Sequence, residues 1–340
     1  MKYLQKFMLH LLIIVFLFTQ CSRKIALNQQ LDKFFSKEDV TILVTDSGLG
    51  GLSVAADLAD RIPKSGVFKN VRVVFFNSLF HEKSGYNSLK TEQEKVDIFN
   101  TALEAMANKY APDLLLIACN TLSVIYDKTE FFQSVTFPVI GIVETGVDLI
   151  AKQFDVAPGA TAIIFATNTT ISSNSHKNRL IERGYSAEKI IGQSCDLLTE
   201  SIEEDYDGEM TSMLISEFVN QALEKVMTDS GASIFASLNC THYGYSLQQF
   251  EESFTEAGYL EIKIVNPNPK MSNFLFESRY QNRYPKTAVN VEVVSKTKIS
   301  AERINSLGSL LQITSPRLAE ALKNYLHDPG LFDVSLEFSL

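Results

Sequence analysis

The chain of 340 residues has only four cysteines, Cys21, Cys119, Cys195 and Cys240. So few thiols do not make a disulfide scaffold, and none stands in the C-x-x-C pairing that holds structural zinc. There is no P-loop, and no stripe of Lys and Arg with interleaved aromatics, so a nucleic-acid partner is not expected. The net charge of -9, from 31 basic and 40 acidic residues, bears on solubility and names no substrate. Gly48-x-Gly50-x-x-Ser53 begins like a dinucleotide loop, but the third glycine is missing, and nicotinamide binding is rejected. Neither cofactor nor metal is expected.

The first 24 residues read as a targeting segment. Lys2 and Lys6 form a basic start, and residues 11–18 are an unbroken apolar run too short to span a bilayer comfortably. Cys21 directly after that run resembles a bacterial lipoprotein cleavage site, although Gln20 departs from the small residue usual there. The expectation is an exported, membrane-anchored lipoprotein facing the periplasm, lipidated at Cys21. Residues 25–39 read as a polar linker.

From residue 40 the chain repeats a strand, a turn and a helix. Short apolar, β-rich runs occupy 40–45, 71–76, 113–118, 138–143, 161–166, 190–193, 233–238 and 262–265, with helical spacing over 52–62, 91–108 and 212–227. Apolar strands alternating with helices predict an α/β fold of mostly parallel sheets flanked by helices. Ligands in such sheets bind beyond the carboxyl ends of the strands. Residues 285–340, with a strand over 289–294 and helices within 300–325, read as a C-terminal extension without a functional reading.

The strand ends are polar, small or reactive: Asp46-Ser47-Gly48, Cys119-Asn120-Thr121, Glu144-Thr145-Gly146, Thr167-Asn168-Thr169-Thr170 and Cys240-Thr241-His242-Tyr243. Ala118-Cys119-Asn120-Thr121 and Asn239-Cys240-Thr241-His242 are similar pieces, each placing a cysteine where a strand hands over to a helix, whose N-terminus favours a thiolate. Two such half-sites suggest two similar domains facing one another across a cleft. That arrangement suits inversion of an amino-acid α-carbon, which needs a proton removed from one face and another returned to the opposite face. The carbanion formed on the way requires donors around the substrate carboxylate.

These pieces resemble the aspartate/glutamate racemase family, and within it the glutamate racemases. Residues 42–52, I-L-V-T-D-S-G-L-G-G-L, are similar to the N-terminal motif. Residues 118–121 and 240–243 are similar to the two cysteine motifs, and residues 140–146, I-G-I-V-E-T-G, to a central segment in which Thr145 replaces the usual proline. The order fits from about 40 to 270. The resemblance implies that Cys119 and Cys240 are opposed acid/bases in a cofactor-independent racemase, assisted by Asp46 and His242 respectively. It implies that Ser47, Asn120, Thr121, Thr170 and Thr241 hold the substrate, that Tyr86 survives from a substrate loop, and that Glu144 supports the cleft. It divides the chain into residues 40–139 with 241–284 as one domain and 140–240 as the other.

The departures bear on side-chain specificity more than on chemistry. Ser84-Gly85-Tyr86-Asn87-Ser88 stands where the family carries Pro-Tyr-Gly, Thr169-Thr170 where it carries Gly-Thr, and Gly244 where it carries proline. The expected partner is a small amino acid, with glutamate first and aspartate, a hydantoin or another small acid as alternatives. A membrane-tethered binding protein without turnover is the alternative of another class, and a homodimer is left open. Cys195 reads as structural, and His81, His176 and His327 as surface or loop residues. Two facing thiols in an oxidising compartment would also be able to pair as a disulfide.

Overall fold

A computed structural model describes residues 25–226 and 233–334; the targeting segment, with Cys21, lies outside the described residues. Ten strands form two parallel sheets. β1 (Asp39–Asp46), β2 (Asn70–Asn77), β3 (Leu114–Ile117), β4 (Val139–Gly141), β9 (Ala288–Ser295) and β10 (Leu326–His327) make a first sheet of order β10-β9-β2-β1-β3-β4. β5 (Thr161–Ala166), β6 (Ile190–Ser194), β7 (Ile234–Leu238) and β8 (Lys263–Val265) make a second, of order β6-β5-β7-β8. β1 sits at the centre of the first, in register with β2 on one side and β3 on the other. Its Ile42, Leu43 and Val44 are wholly buried, because helices cover both faces and leave no polar alternation to preserve.

The helices follow from local sequence. Glu92–Tyr110 starts at a capping box, in which Thr91 accepts from the Glu94 N–H and Glu94 accepts from the Thr91 N–H, so two orphan donors are satisfied at once. The helix Val143–Val156 carries the chain from the first sheet to the second. Its Val147, Ile150 and Phe154 belong to one apolar core with Leu43 and Leu115 of the first sheet and Ala162 and Ile164 of the second.

Three expectations change. Residues 25–36 are helical, not a linker; Phe34 and Phe35 are buried against Phe68 and Tyr280, and that apolar burial outweighs the polar residues between them. β8 pairs with β7 and Phe250 and Phe254 pack in the second sheet's core, so the chain stays with the second lobe to residue 265 instead of leaving it at 240. Residues 288–327 are no appendage: β9 pairs with β2 along eight residue pairs, completing the first sheet.

Candidate active site

The carboxyl ends of β1, β3 and β7 open on one cavity of about 400 Å³. Cys119, just after β3 of the first sheet, and Cys240, just after β7 of the second, both line it, with Asp46, Ser47, Tyr86, Asn120, Thr121, Thr241 and His242. Both thiols are buried and free.

On the first wall, the Ser47 hydroxyl lies 3.1 Å from Cys119 Sγ. Burial, then the neighbouring Asp46 carboxylate, push the Cys119 thiol far up, against weaker help from Ser47. The helix Asn120–Ser123 that follows is a single turn, so the expected helix N-terminus is too short to favour a thiolate there; the wall holds Cys119 as a thiol. Burial also raises Asp46, opposed by His242 and by the Thr241 hydroxyl, which donates to Asp46 Oδ2 at 2.7 Å. Both amide atoms of Asn120 and the Tyr86 hydroxyl are buried without a protein partner, at the price in free energy that orphaned polar groups carry.

On the second wall, His242 Nδ1 is 3.7 Å from Cys240 Sγ, and His242 Nε2 is 2.7 Å from Glu203 Oε1. Burial disfavours charge on this imidazole, but Cys240 and Glu203 together hold it well above its ordinary value. Glu203 is equally buried; burial would raise it, yet His242, Arg303 and the Leu49 N–H keep it below the usual carboxylate range. The imidazolium is therefore set between a carboxylate and a sulfur. The walls are unlike: one favours a thiol, while the other presents a charged N–H donor to sulfur.

No family model matches the chain. A glutamate racemase of Clostridium perfringens is 29% identical over 264 residues, 77% of this chain and 89% of its own length. One from Aquifex aeolicus is 26% identical over 273 residues, 76% of this chain and 97% of its own length. The crystal structure of the Francisella tularensis glutamate racemase in complex with D-glutamate superposes with a TM-score of 0.61 at 22% identity, covering 81% of this chain and 94% of that one. Over about three quarters of its length the chain is therefore similar to glutamate racemases. Its two-lobed α/β architecture is the expected one and is shared with that crystal structure.

Two residues expected in the site stand elsewhere. Glu144 is half-exposed, paired with Arg179 and Arg183, and does not line the cavity; it lies in the first turn of the helix Val143–Val156, and the two arginines hold it at the surface. Thr170 stands one layer back, reaching the lining only through Thr167, which it meets at 3.1 Å and which bonds Thr121 at 2.8 Å. His176 is buried, not on a surface loop; burial, with Arg179, lowers it to about 3. The neutral ring then accepts at Nε2 from Asn239 Nδ2, at 3.0 Å. The residues not foreseen as part of the site are Glu203, Thr167, Asn239 and Arg303. Asn239 had a signal, standing directly before Cys240; Glu203 lies in a run of acidic residues with nothing to single it out.

Proposed function

We propose that this chain is a cofactor-independent glutamate racemase that passes protons through Cys119 and Cys240. The observation that carries this reading is that two thiols from different sheets line one small cavity while their surroundings differ in electrostatic sense. Inversion from one enantiomer breaks the Cα–H bond as an S–H bond forms on the deprotonated sulfur; the opposite thiol then gives its proton to the other face of the carbanion. Each turnover needs one thiolate and one thiol at the start. His242 Nδ1 faces Cys240 Sγ at 3.7 Å, and Cys119 is held protonated. Asn120, with both amide atoms unengaged, supplies a donor to the substrate carboxylate and an acceptor to its ammonium group. The Tyr86 hydroxyl and Thr241 complete the polar lining.

A second reading has a specific observation in its favour. The lining includes Glu82, Glu200 and Glu204 besides Asp46 and Glu203, against the cations Lys83, Arg303 and the His242 imidazolium. That excess of negative charge opposes a substrate with a second carboxylate and favours the same chemistry on an amino acid with an uncharged or basic side chain.

One experiment separates these. The full chain is incubated in deuterated water with each enantiomer of glutamate, aspartate, glutamine, alanine, lysine and arginine. Uptake of α-deuterium with loss of optical rotation is expected for glutamate, and for neutral or basic members instead if the second reading holds. Tight binding without exchange for any of them would leave a binding protein and sink the racemase reading.

The same proposal places the enzyme outside the cytoplasm, tethered through Cys21, a reading supported by the basic start and apolar run of the sequence. Mass spectrometry of the mature N-terminus tests it, and an unprocessed Met1 terminus would defeat it.

A further inference from the structure

The segment that the sequence left without a role sends one side chain into the cavity. Arg303 lies in the first turn of the helix Ala301–Thr314, where the Ser300 hydroxyl accepts from the Arg303 N–H at 3.3 Å and fixes that turn. The helix packs on both Leu52–Ser65 of the first lobe and Leu198–Glu204 of the second, so it bridges the walls. Its Arg303 guanidinium meets Glu203 Oε2 at 3.1 Å with the arginine side chain 22% exposed. The other oxygen of Glu203 is fully used, by His242 Nε2 and the Leu49 N–H at 2.7 Å each.

From this chain of contacts we infer that Arg303 is a positioning residue for proton transfer at Cys240, acting through Glu203 and His242. The inference rests on the two-thiol reading above. A buried carboxylate with two donors on one oxygen and a guanidinium paired to the other stays anionic and fixed in rotation. Without Arg303 one oxygen loses its cation and buried charge goes uncompensated. Glu203 then takes up a proton or turns toward solvent, and His242 loses the acceptor that orients it. Cys119 is hydrogen-bonded to Ser47 and not to this chain of contacts, and the orientation of its own partner is spared. The effect is therefore one-sided: it slows proton transfer at one sulfur, not at both. Direct contact of Arg303 with a substrate carboxylate is the competing role, and it would act on binding of both enantiomers.

The test uses the full chain and its Arg303→Gln, Arg303→Lys, Glu203→Gln and doubly substituted Arg303→Gln/Glu203→Gln forms. Racemisation is measured with L- and D-glutamate, each with hydrogen or deuterium at the α-carbon, and folding is checked by thermal unfolding. Arg303→Gln is expected to lower kcat roughly ten- to a hundredfold, within what a positioned acid–base group contributes. The α-deuterium effect on kcat/KM should rise for the one enantiomer that Cys240 deprotonates and fall for its mirror image. Arg303→Lys should restore most of the rate, and the double form should be no slower than Glu203→Gln alone. Isotope effects that shift equally for both enantiomers, additive losses in the double form, or a raised KM at unchanged kcat would each overturn the inference while leaving the two-thiol reading intact. Absence of α-exchange in the unsubstituted chain would overturn both.

Discussion

The Thr241 hydroxyl donates to Asp46 Oδ2 across 2.7 Å, so the turn that carries Cys240 is tied to the strand end beside Cys119. The two half-sites are thus joined by a direct bond between buried groups, and the spacing of the sulfurs is set by that bond as well as by the sheets. Gly50 makes this closeness feasible. A Cβ there would stand 2.4 Å from Thr241 Oγ1 and 2.7 Å from the His242 backbone nitrogen. Gly50→Ala is expected to force the turns apart, costing about 1–3 kcal/mol of stability and most of the activity. Gly308→Ala, in a helix with nothing within 4 Å of the new Cβ, should gain about 0.5–1 kcal/mol. Urea unfolding of both variants checks this; an unaffected Gly50→Ala would refute the close approach.

Cys119→Ala and Cys240→Ala should each cut racemisation by roughly 10²–10⁴, the contribution of a positioned proton-transfer group. Because the thiols act in series, the double variant should be no worse than the poorer single one. Cys195→Ala, at a core thiol that donates to the Gln193 carbonyl and lies outside the cavity lining, should stay within a few-fold of the parent, as judged by polarimetry.

Asn120 is expected to separate function from stability. Its side-chain oxygen and nitrogen have no protein partner, so Asn120→Ala removes no protein hydrogen bond and should leave the unfolding midpoint unchanged or slightly higher. The same change should raise KM and lower kcat, since the amide is placed to meet substrate. A large fall in stability with unchanged kinetics would contradict this placement.

Two buried histidines carry opposite pH signatures. His176 is lowered to about 3, below its ordinary value near 6.5. The unfolded chain therefore binds the extra proton first, and stability is lost as pH falls from about 6.5 toward the lowered value. His176→Gln should flatten the acid limb of a stability–pH curve by up to about 1.4 kcal/mol per pH unit. His242 is raised well above its ordinary value, so its contribution is complete below about pH 6.5 and is lost as pH climbs through the raised value. In His242→Asn the alkaline decline should weaken. Denaturation midpoints measured across pH decide both signs.

The strand ends were legible because alternating apolar runs and polar punctuation leave little freedom in a parallel sheet: all eight strands expected before residue 270 have counterparts among β1 to β8, and both cysteines emerge at one cavity. What escaped notice depends on side-chain direction and long-range return. Glu203 is buried beneath the cavity while Glu200 and Glu204 on the same helix reach its rim from exposed positions, a distinction set by helix rotation against the Ala301–Thr314 helix. Glu144 is one residue into a helix whose buried stripe runs through Val143, Val147 and Ile150, which turns the carboxylate outward. β8 belongs to the second lobe and not the first because its sheet edge is set by β7, and nothing in a three-residue strand says which edge receives it.

The insertion of the second lobe between β4 and β9 has a consequence for synthesis. Residues 161–265 hold every strand of one sheet, so that lobe can assemble as soon as its own stretch has left the ribosome. The earlier-made lobe cannot close: until residues 288–295 arrive, β2 offers a bare parallel edge, open to pairing with other chains. A nascent or prematurely terminated polypeptide would thus be both inert and aggregation-prone, and the last part of the gene decides whether the first part is ever protected.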